Sequence, residues 1–403
     1  MVKELQRRYP EFHFLVLTDD INILVRPPEG GLASDWQLLY KRYAALLSDI
    51  KNLSCDLAGL VLNASKCGLL LPEGAPLPTD EVRALFPPGF DFQVKGFRIA
   101  GSPVGTAAFM KEFAEKKLAE AVEKLQAIKS LGFKNARATH RLLITSGTKL
   151  LHFLAMTVPP AVMLPVLKKF DKHVDSVFFG TLAPASFTCS GERLQRATLR
   201  ASLPAPHGCG LFRASDQGKV AWLSSVAACL SDPLLFQLKD SIRKHAGPAL
   251  SLLVAAVGGE GSKYWTLVSQ VLPPTLSSFL DGSVYSPESE FKVKLGKVVL
   301  KALSRIQTDK FLALTKVDNI SNNLSKADVL RANAHTHAGR IFSTPLCFAL
   351  PFVLTNEQYL AWARSFLGLP PASTIGNHAE QKGLTIRFRS VWLRTEASSV
   401  SRC

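Results

Sequence analysis

Acidic residues are scarce in this chain. Against 48 Lys and Arg stand 32 Asp and Glu, giving a formal charge of +16 and a pI near 9.6. That balance is too large for a general solubility charge and points to a polyanionic partner, nucleic acid ahead of an anionic membrane surface. Cysteines are few and odd in number: Cys55, Cys67, Cys189, Cys209, Cys229, Cys347 and Cys403, scattered and without a CxxC pair. This excludes a disulfide framework and a zinc knuckle, and predicts a reducing, intracellular location, nucleus or cytoplasm. Met1 to Pro10 is charged and lacks an apolar core, so no signal peptide is expected. The apolar stretch Leu150 to Leu167 is interrupted by Pro159-Pro160 and contains His152, which predicts a buried helix and a break rather than a membrane span. No repeat of fixed period is visible.

What is present suffices for a folded protein of two or three domains: 403 residues, 47% of them apolar. Near the amino end, Phe12-His-Phe-Leu-Val-Leu-Thr-Asp19-Asp20-Ile-Asn-Ile-Leu-Val25 sets two β-rich runs around adjacent carboxylates. A strand, an Asp-containing turn and a returning strand make a hairpin. Asp is a common turn residue, so a solvated turn accounts for the pair on these residues alone. Two neighbouring carboxylates also repel, and they gain most where a cation sits between them.

Downstream, Pro27-Pro28-Glu29-Gly30-Gly31 reads as a loop, and Asp35 to Leu57 as a helix ended by Gly59. Gly59 to Leu71 reads as a short strand, a polar turn at Asn63 and another strand. Lys66 lies between them, as a surface lysine or as a donor aimed at phosphate. Pro72 to Phe92 reads as a connecting loop and Phe92 to Ile99 as a strand. That strand enters Ala100-Gly101-Ser102-Pro103-Val104-Gly105, a tight turn where another backbone can come close.

The order of these elements resembles the palm of reverse transcriptases of the non-LTR retrotransposon type. Leu17-Thr18-Asp19-Asp20 stands where that family has an aromatic-Ala-Asp-Asp box, and departs from it at Leu17-Thr18. Gly59 to Lys66 matches the motif whose lysine protonates the leaving pyrophosphate. Ala100 to Gly105 resembles the Leu-Gly-x-Pro-x-Gly primer-grip hairpin. The resemblance implies that Asp19 and Asp20 hold Mg²⁺ for two-metal nucleotidyl transfer and that Lys66 assists the leaving group. It also implies that Gly101, Ser102, Pro103 and Gly105 position the primer end. The family needs one more carboxylate from an upstream strand, for which Glu4 and Glu11 are poor stand-ins, and a fingers region. The expectation is therefore an N-terminally truncated polymerase, inactive as this chain alone.

Phe109 to Leu131 is a clear amphipathic helix with Glu112–Lys116 and Glu120–Lys124 pairs. A second helix is predicted over Ala136 to Met156, with Leu143, Leu150 and Leu154 inside. Its other face carries Arg137, Arg141, Thr145, Thr148 and His152. From Lys129 to Lys169 inclusive there are seven Lys/Arg and no acid. An ordinary solvated face explains such a stripe, and so does contact with a phosphate backbone. The resemblance implies the polymerase thumb, with Lys134, Arg137, Arg141, Lys149 and His152 against an RNA template–DNA primer duplex. A helix over Leu164 to Phe179 with Phe170-Asp171, and Pro206-His-Gly-Cys-Gly-Leu211, extend the match.

Thr181 to Gly218 reads as irregular, with a domain break near Ala183. Helices are predicted at Gln217–Leu230, Pro233–Lys244, Glu290–Ile306, Lys310–Leu314, Lys326–Ala334 and Glu357–Phe366. His207 with Cys209, and His335 with His337, lack a second ligand pair. Gly376-Asn377-His378 stands where the family has a cysteine-rich knuckle. The expected fold is α+β. It comprises a partial palm with antiparallel hairpins (1–106), a helical thumb (107–182) and a mostly α-helical C-terminal region (183–403). The alternative is a non-catalytic, basic, helical nucleic-acid-binding protein, with a membrane-surface protein behind it.

Overall fold

The fold is seen in a computed structural model that describes residues 1–17, 20–25, 28, 32–59, 61, 63, 67–72, 74–132, 135–182, 191–204, 208–230, 239–259, 261–269, 271, 279–280, 291–316 and 356–367. Two compact units divide the chain, Met1–Lys117 with Thr157–Met163, and Leu118–Met156 with Leu164–Cys403.

In the first unit, helix α1 (Val2–Arg8) leads into a ribbon of β1 (Phe12–Leu17) and β2 (Asp20–Val25). The strands are antiparallel, with Phe12 opposite Val25 and Leu17 opposite Asp20. Phe12 is fully buried and meets Tyr43 edge to face, ring centroids 5.6 Å apart. Tyr43 belongs to α2 (Ala33–Ala58). This helix buries Trp36, Tyr40, Tyr43, Ala44 and Leu47. Their spacing of three and four makes one apolar stripe. Gly59 closes it in the left-handed region at φ 60°, its N–H donating to the Cys55 carbonyl at 2.8 Å.

Strand β3 (Gly68–Leu70) pairs in parallel with β4 (Asp91–Gln93). The connection between them holds the short α3 (Asp80–Arg83), capped by the Thr79 hydroxyl, which accepts from Val82 N–H at 3.4 Å. Phe86, Phe90 and Phe92 cluster beside it with centroids 4.8 to 5.2 Å apart. Strands β5 (Gly96–Ile99) and β6 (Ser102–Gly105) form a second antiparallel hairpin. Ile99 faces Ser102, so the loop is two residues, Ala100 at φ 47° and Gly101 at φ 84°. Positive φ at both positions is the type I′ turn, whose twist suits a right-twisted ribbon. At Gly105, φ is 147° and a Cβ would lie 2.4 Å from both Gly96 Cα and the Lys95 carbonyl, so only glycine fits.

Helix α4 (Ala107–Ser130) begins in the first unit and continues into the second. After it come α5 (Ala136–Thr145), a 3₁₀ turn (Gly147–Lys149), α6 (His152–Thr157) and α7 (Pro160–Leu182), with Thr157–Met163 counted in the first unit. Next come α8 (Gly191–Ser202), α9 (Ala214–Leu230), α10 (Lys239–Ala256), α11 (Trp265–Val268), α12 (Phe291–Lys316) and α13 (Asn356–Leu367). The core is built from helix faces: Val220, Leu223 and Ala227 of α9, Leu250 and Leu253 of α10, Leu295, Val299 and Ala302 of α12. Each fully buried Leu or Val contributes roughly 1.5–3 kcal/mol.

The α+β class holds, with small hairpins ahead of many helices. Several local expectations change. The span Ala136 to Met156 is not one helix; it breaks at Ser146-Gly147. A Cβ at Gly147 would meet Leu143 at 3.1 Å and Leu125 of α4 at 3.4 Å, so the chain turns where it passes close to its neighbour. The break moves the inner position from Leu150, half-buried, to Leu151, buried. Strand β3 takes β4 as its partner, in parallel. Phe92 to Ile99 is two short strands, not one. Helix α8 occupies part of the stretch predicted as irregular. The two helices expected at Glu290–Ile306 and Lys310–Leu314 are one, α12, and α7 starts four residues earlier than predicted, at Pro160, a residue suited to a first helical position. The predicted helix at Lys326–Ala334, His335, His337 and Gly376 to His378 lie outside the described residues.

The Ala100 strain is testable. Ala100→Asn is expected to stabilise the protein by about 1 kcal/mol, because Asn tolerates the left-handed region that costs Ala roughly 1–2 kcal/mol. Gly105→Ala is expected to cost upwards of ~2 kcal/mol through strain and backbone overlap. Urea unfolding followed by circular dichroism measures both.

Candidate nucleic-acid interface

Of the residues expected to carry catalysis, Asp19 and Lys66 lie outside the described residues. Asp20 opens β2, paired with Leu17 at the last rung of the ribbon. Glu4 and Glu11, the acids that precede that ribbon in this sequence, already have partners. Glu4 accepts from Arg7 at 2.8 Å and Arg8 at 2.8 Å, and these hydrogen bonds hold its carboxyl down at about 2. Glu11 accepts from Arg42 at 2.8 Å. Among the described residues, no group of three or more His, Cys, Asp or Glu gathers to hold a metal ion.

The hairpin expected to grip a primer is a well-formed ribbon. Gly101 occupies its turn, Ser102 and Pro103 open β6 with Pro103 buried, and Gly105 closes the strand exposed. Val104 is exposed beside it, at 41% of its free surface.

The basic residues expected on one thumb face do not form a continuous stripe. Lys134 lies outside the described residues. Arg137, Arg141 and Thr145 follow one another by single turns along α5, the two arginines half-buried. Thr148 is buried, so it interrupts the row. Lys149 sits in the 3₁₀ turn and His152 at the start of α6, both exposed. The basic face is thus a two-arginine patch on α5 and a separate exposed pair after the break.

What anchors α5 was not singled out in the sequence. Its first turn is capped twice. Asn135 Oδ1 accepts from Ala138 N–H at 3.1 Å, and Asn356, at the start of α13, accepts from Ala136 N–H at 2.8 Å. His140, one turn on, is buried. Its Nδ1 meets the Tyr359 hydroxyl at 2.5 Å and its Nε2 meets the Cys209 carbonyl at 3.1 Å. A carbonyl only accepts, so Nε2 carries the proton and Nδ1 accepts from Tyr359. Burial drives the imidazole down to about 4, against the opposing pull of the Cys209 carbonyl. The sequence offered one hint: His140 shares the inward face with Ala136 and Leu143.

The Phe170-Asp171 pair has a structural role. Phe170 is fully buried in α7, and Asp171 caps α9. Its Oδ1 accepts from Ala214 N–H at 2.8 Å, and its Oδ2 from Ser215 N–H at 3.2 Å and the Ser215 hydroxyl at 2.6 Å. Burial raises its carboxyl, opposed by those bonds and by Arg213. One turn along, Asp175 pairs with Arg213 at 2.7 Å. The Gly208-Cys209-Gly210 run folds back on the end of α8. Gly210 N–H donates to the Leu203 carbonyl at 2.8 Å and Leu211 N–H to the Ala201 carbonyl at 3.0 Å. Cys209 is fully buried, and burial raises its thiol.

No helix among the described residues is long and apolar enough to cross a membrane. No family profile, curated protein or solved structure matches the chain.

Two measurements check these anchors. Asp171→Ala is expected to cost about 2–4 kcal/mol, since it strips the cap from α9 and leaves buried donors without an acceptor. For His140, the folded pKa lies below the unfolded 6.5. Unfolded chains take up the proton as pH falls below 6.5, while folded ones resist until about 4. Stability is therefore fully present above pH 6.5 and lost between 6.5 and 4, by about 3 kcal/mol at most. The difference in pH dependence of urea unfolding between the wild type and His140→Gln should show that loss; parallel curves would show that His140 does not titrate in this window.

Proposed function

We propose that this chain is part of a reverse transcriptase of the non-LTR retrotransposon type, comprising the Asp-Asp ribbon, the primer-grip hairpin and the thumb, and that it acts on nucleic acid inside the cell. On this reading Asp19 and Asp20 belong to the metal-binding set, Lys66 to the leaving-group motif and the Gly101–Gly105 ribbon to the primer end. The observation that carries it is the order of the three motifs. Two of them fall on hairpins of the expected kind, and a long amphipathic helix follows the second.

As these 403 residues, the chain grips a template–primer duplex through Arg137 and Arg141 and does not extend it. Supporting this division of labour, Glu4 and Glu11 are engaged by Arg7, Arg8 and Arg42. An acid already neutralised by a bidentate arginine is a poor third ligand for Mg²⁺. The same observation favours a second reading, a basic helical nucleic-acid-binding protein with no chemistry of its own.

Duplex binding tests both. Affinity for an RNA–DNA hybrid should fall steeply with salt, and Arg137→Glu with Arg141→Glu should weaken it and lower the salt slope by about 0.9 per lost phosphate contact. Absence of binding at low salt removes both readings. Primer extension with Mg²⁺ or Mn²⁺ separates them from an active enzyme: template-dependent extension lost in Asp19→Ala would show that the chain polymerises by itself.

A further inference from the structure

Helix α12 carries seven Lys and Arg and one acid, Asp309, over its 26 residues. Lys297, Lys301 and Arg305 are exposed and follow one another every four residues, an axial step of about 6 Å. They run up to a cleft of about 570 Å³ between α12 and the turn that enters α11, lined by Lys263, Tyr264, Lys301, Ser304, Arg305 and Thr308 among others. The acid at its edge is already committed. Asp309 accepts from Lys263 at 2.6 Å and from the Tyr264 hydroxyl at 2.6 Å. Those bonds fix Lys263 at the mouth of the cleft, with its ammonium 4.9 Å from the Tyr264 ring centre. An ammonium has three donors, so Lys263 keeps capacity for a second acceptor.

Three cations and one carboxylate, a net charge of +2, therefore face one concavity, with the Ser304 and Thr308 hydroxyls beside them. We propose that this cleft, with the cationic row leading to it, binds the phosphate backbone of single-stranded nucleic acid, Lys263, Lys301 and Arg305 being the phosphate contacts. A cleft of this volume takes a group of nucleotide size, and Tyr264 with Leu267 supplies the apolar wall for a base or sugar. A membrane surface fits less well. Binding to one needs bulky apolar residues beside the cations, and among the described residues of α11 and α12 no large apolar side chain is strongly exposed. The inference does not rest on the polymerase reading, and stands whether or not the chain grips a primer duplex.

The test is fluorescence anisotropy with a labelled 20-nucleotide oligo(dT), as a function of salt. Lys301→Gln with Arg305→Gln should weaken binding on the order of tenfold at 0.1 M salt and lower the salt slope by about 0.7 per contact removed. Arg137→Glu with Arg141→Glu, measured on the same probe and on a duplex, keeps this outcome apart from the thumb reading. Oligo(dT) affinity and slope unchanged in a folded Lys301→Gln/Arg305→Gln protein would overturn the proposal. So would binding of those residues to phosphatidylserine vesicles without any effect on the oligonucleotide. Lysine acetylation of the wild type, read by mass spectrometry, needs no variant. Lys263 and Lys301 should be protected by oligo(dT), and equal labelling with and without it would also sink the idea.

Discussion

Asp171 gives both carboxylate oxygens to the first turn of α9 from a helix 43 residues earlier in the chain. Asn356, 220 residues later, accepts from the first N–H of α5 through its single amide oxygen. Arg364, buried in α13, donates to the Leu182 carbonyl at the end of α7 at 2.7 Å. Every helix leaves four N–H and four C=O groups without internal partners, and inside a core those groups have no water to turn to. In the second unit the unmet groups at three helix ends are met by side chains far away in sequence. Packing of apolar faces brings the helices together, and these long-range caps fix which ends meet. His140 adds to the same junction by tying α5 to both the Cys209 carbonyl and Tyr359. The arginines of α5 ride on this anchored helix, so their orientation depends on contacts that involve no charge at all.

The excess of positive charge is distributed unevenly, and shape decides what it can do. Between Lys129 and Lys169 the sequence holds no acid, yet the 3₁₀ turn and the buried Thr148 split that cationic run. On α12 the row of cations is uninterrupted and leads into a concavity. Exposed cations on a convex surface keep their hydration and attract phosphate weakly. Cations converging on a cleft wall act on one ligand together, and the local potential rises accordingly. Counting charges along the chain barely separates the two segments, and geometry does.

Long helices were legible: α2, α4, α9 and α13 fall within a few residues of the sequence expectation. Glycine marks the end of one of them, at Gly59. Features set by contact between distant segments were not legible. Nothing near Gly147 says that α4 will pass within reach of a Cβ there, so the break in the expected second helix is invisible locally. Helix α8 buries Ala197, Arg200 and Ala201, small or charged residues that give a weak apolar signal, and neighbouring prolines masked it further. The partner of β3 is chosen across more than twenty residues, and strand pairing of that kind leaves no period in sequence. The α12 cleft escaped for the same reason, because Lys263 and Arg305 come together only through folding.

The residues behind the polymerase resemblance divide into two kinds. Gly59 is a helix cap, Gly105 is required by the backbone of its own hairpin, Gly210 serves the turn after α8, and Asp171 caps α9. Folding alone accounts for these, so any protein with the same local geometry would favour them, and they discriminate little between polymerase and scaffold. Asp19, Asp20 and Lys66 are different in kind. Two aspartates adjacent in sequence repel each other, and that repulsion by itself adds nothing to the stability of a fold. No requirement of the strands calls for a second acid. The weight of the enzymatic reading therefore rests on two aspartates and a lysine, and the weight of the nucleic-acid reading rests on arginines and lysines elsewhere. The two readings can fail independently, because the residues behind them stand in different segments of the chain.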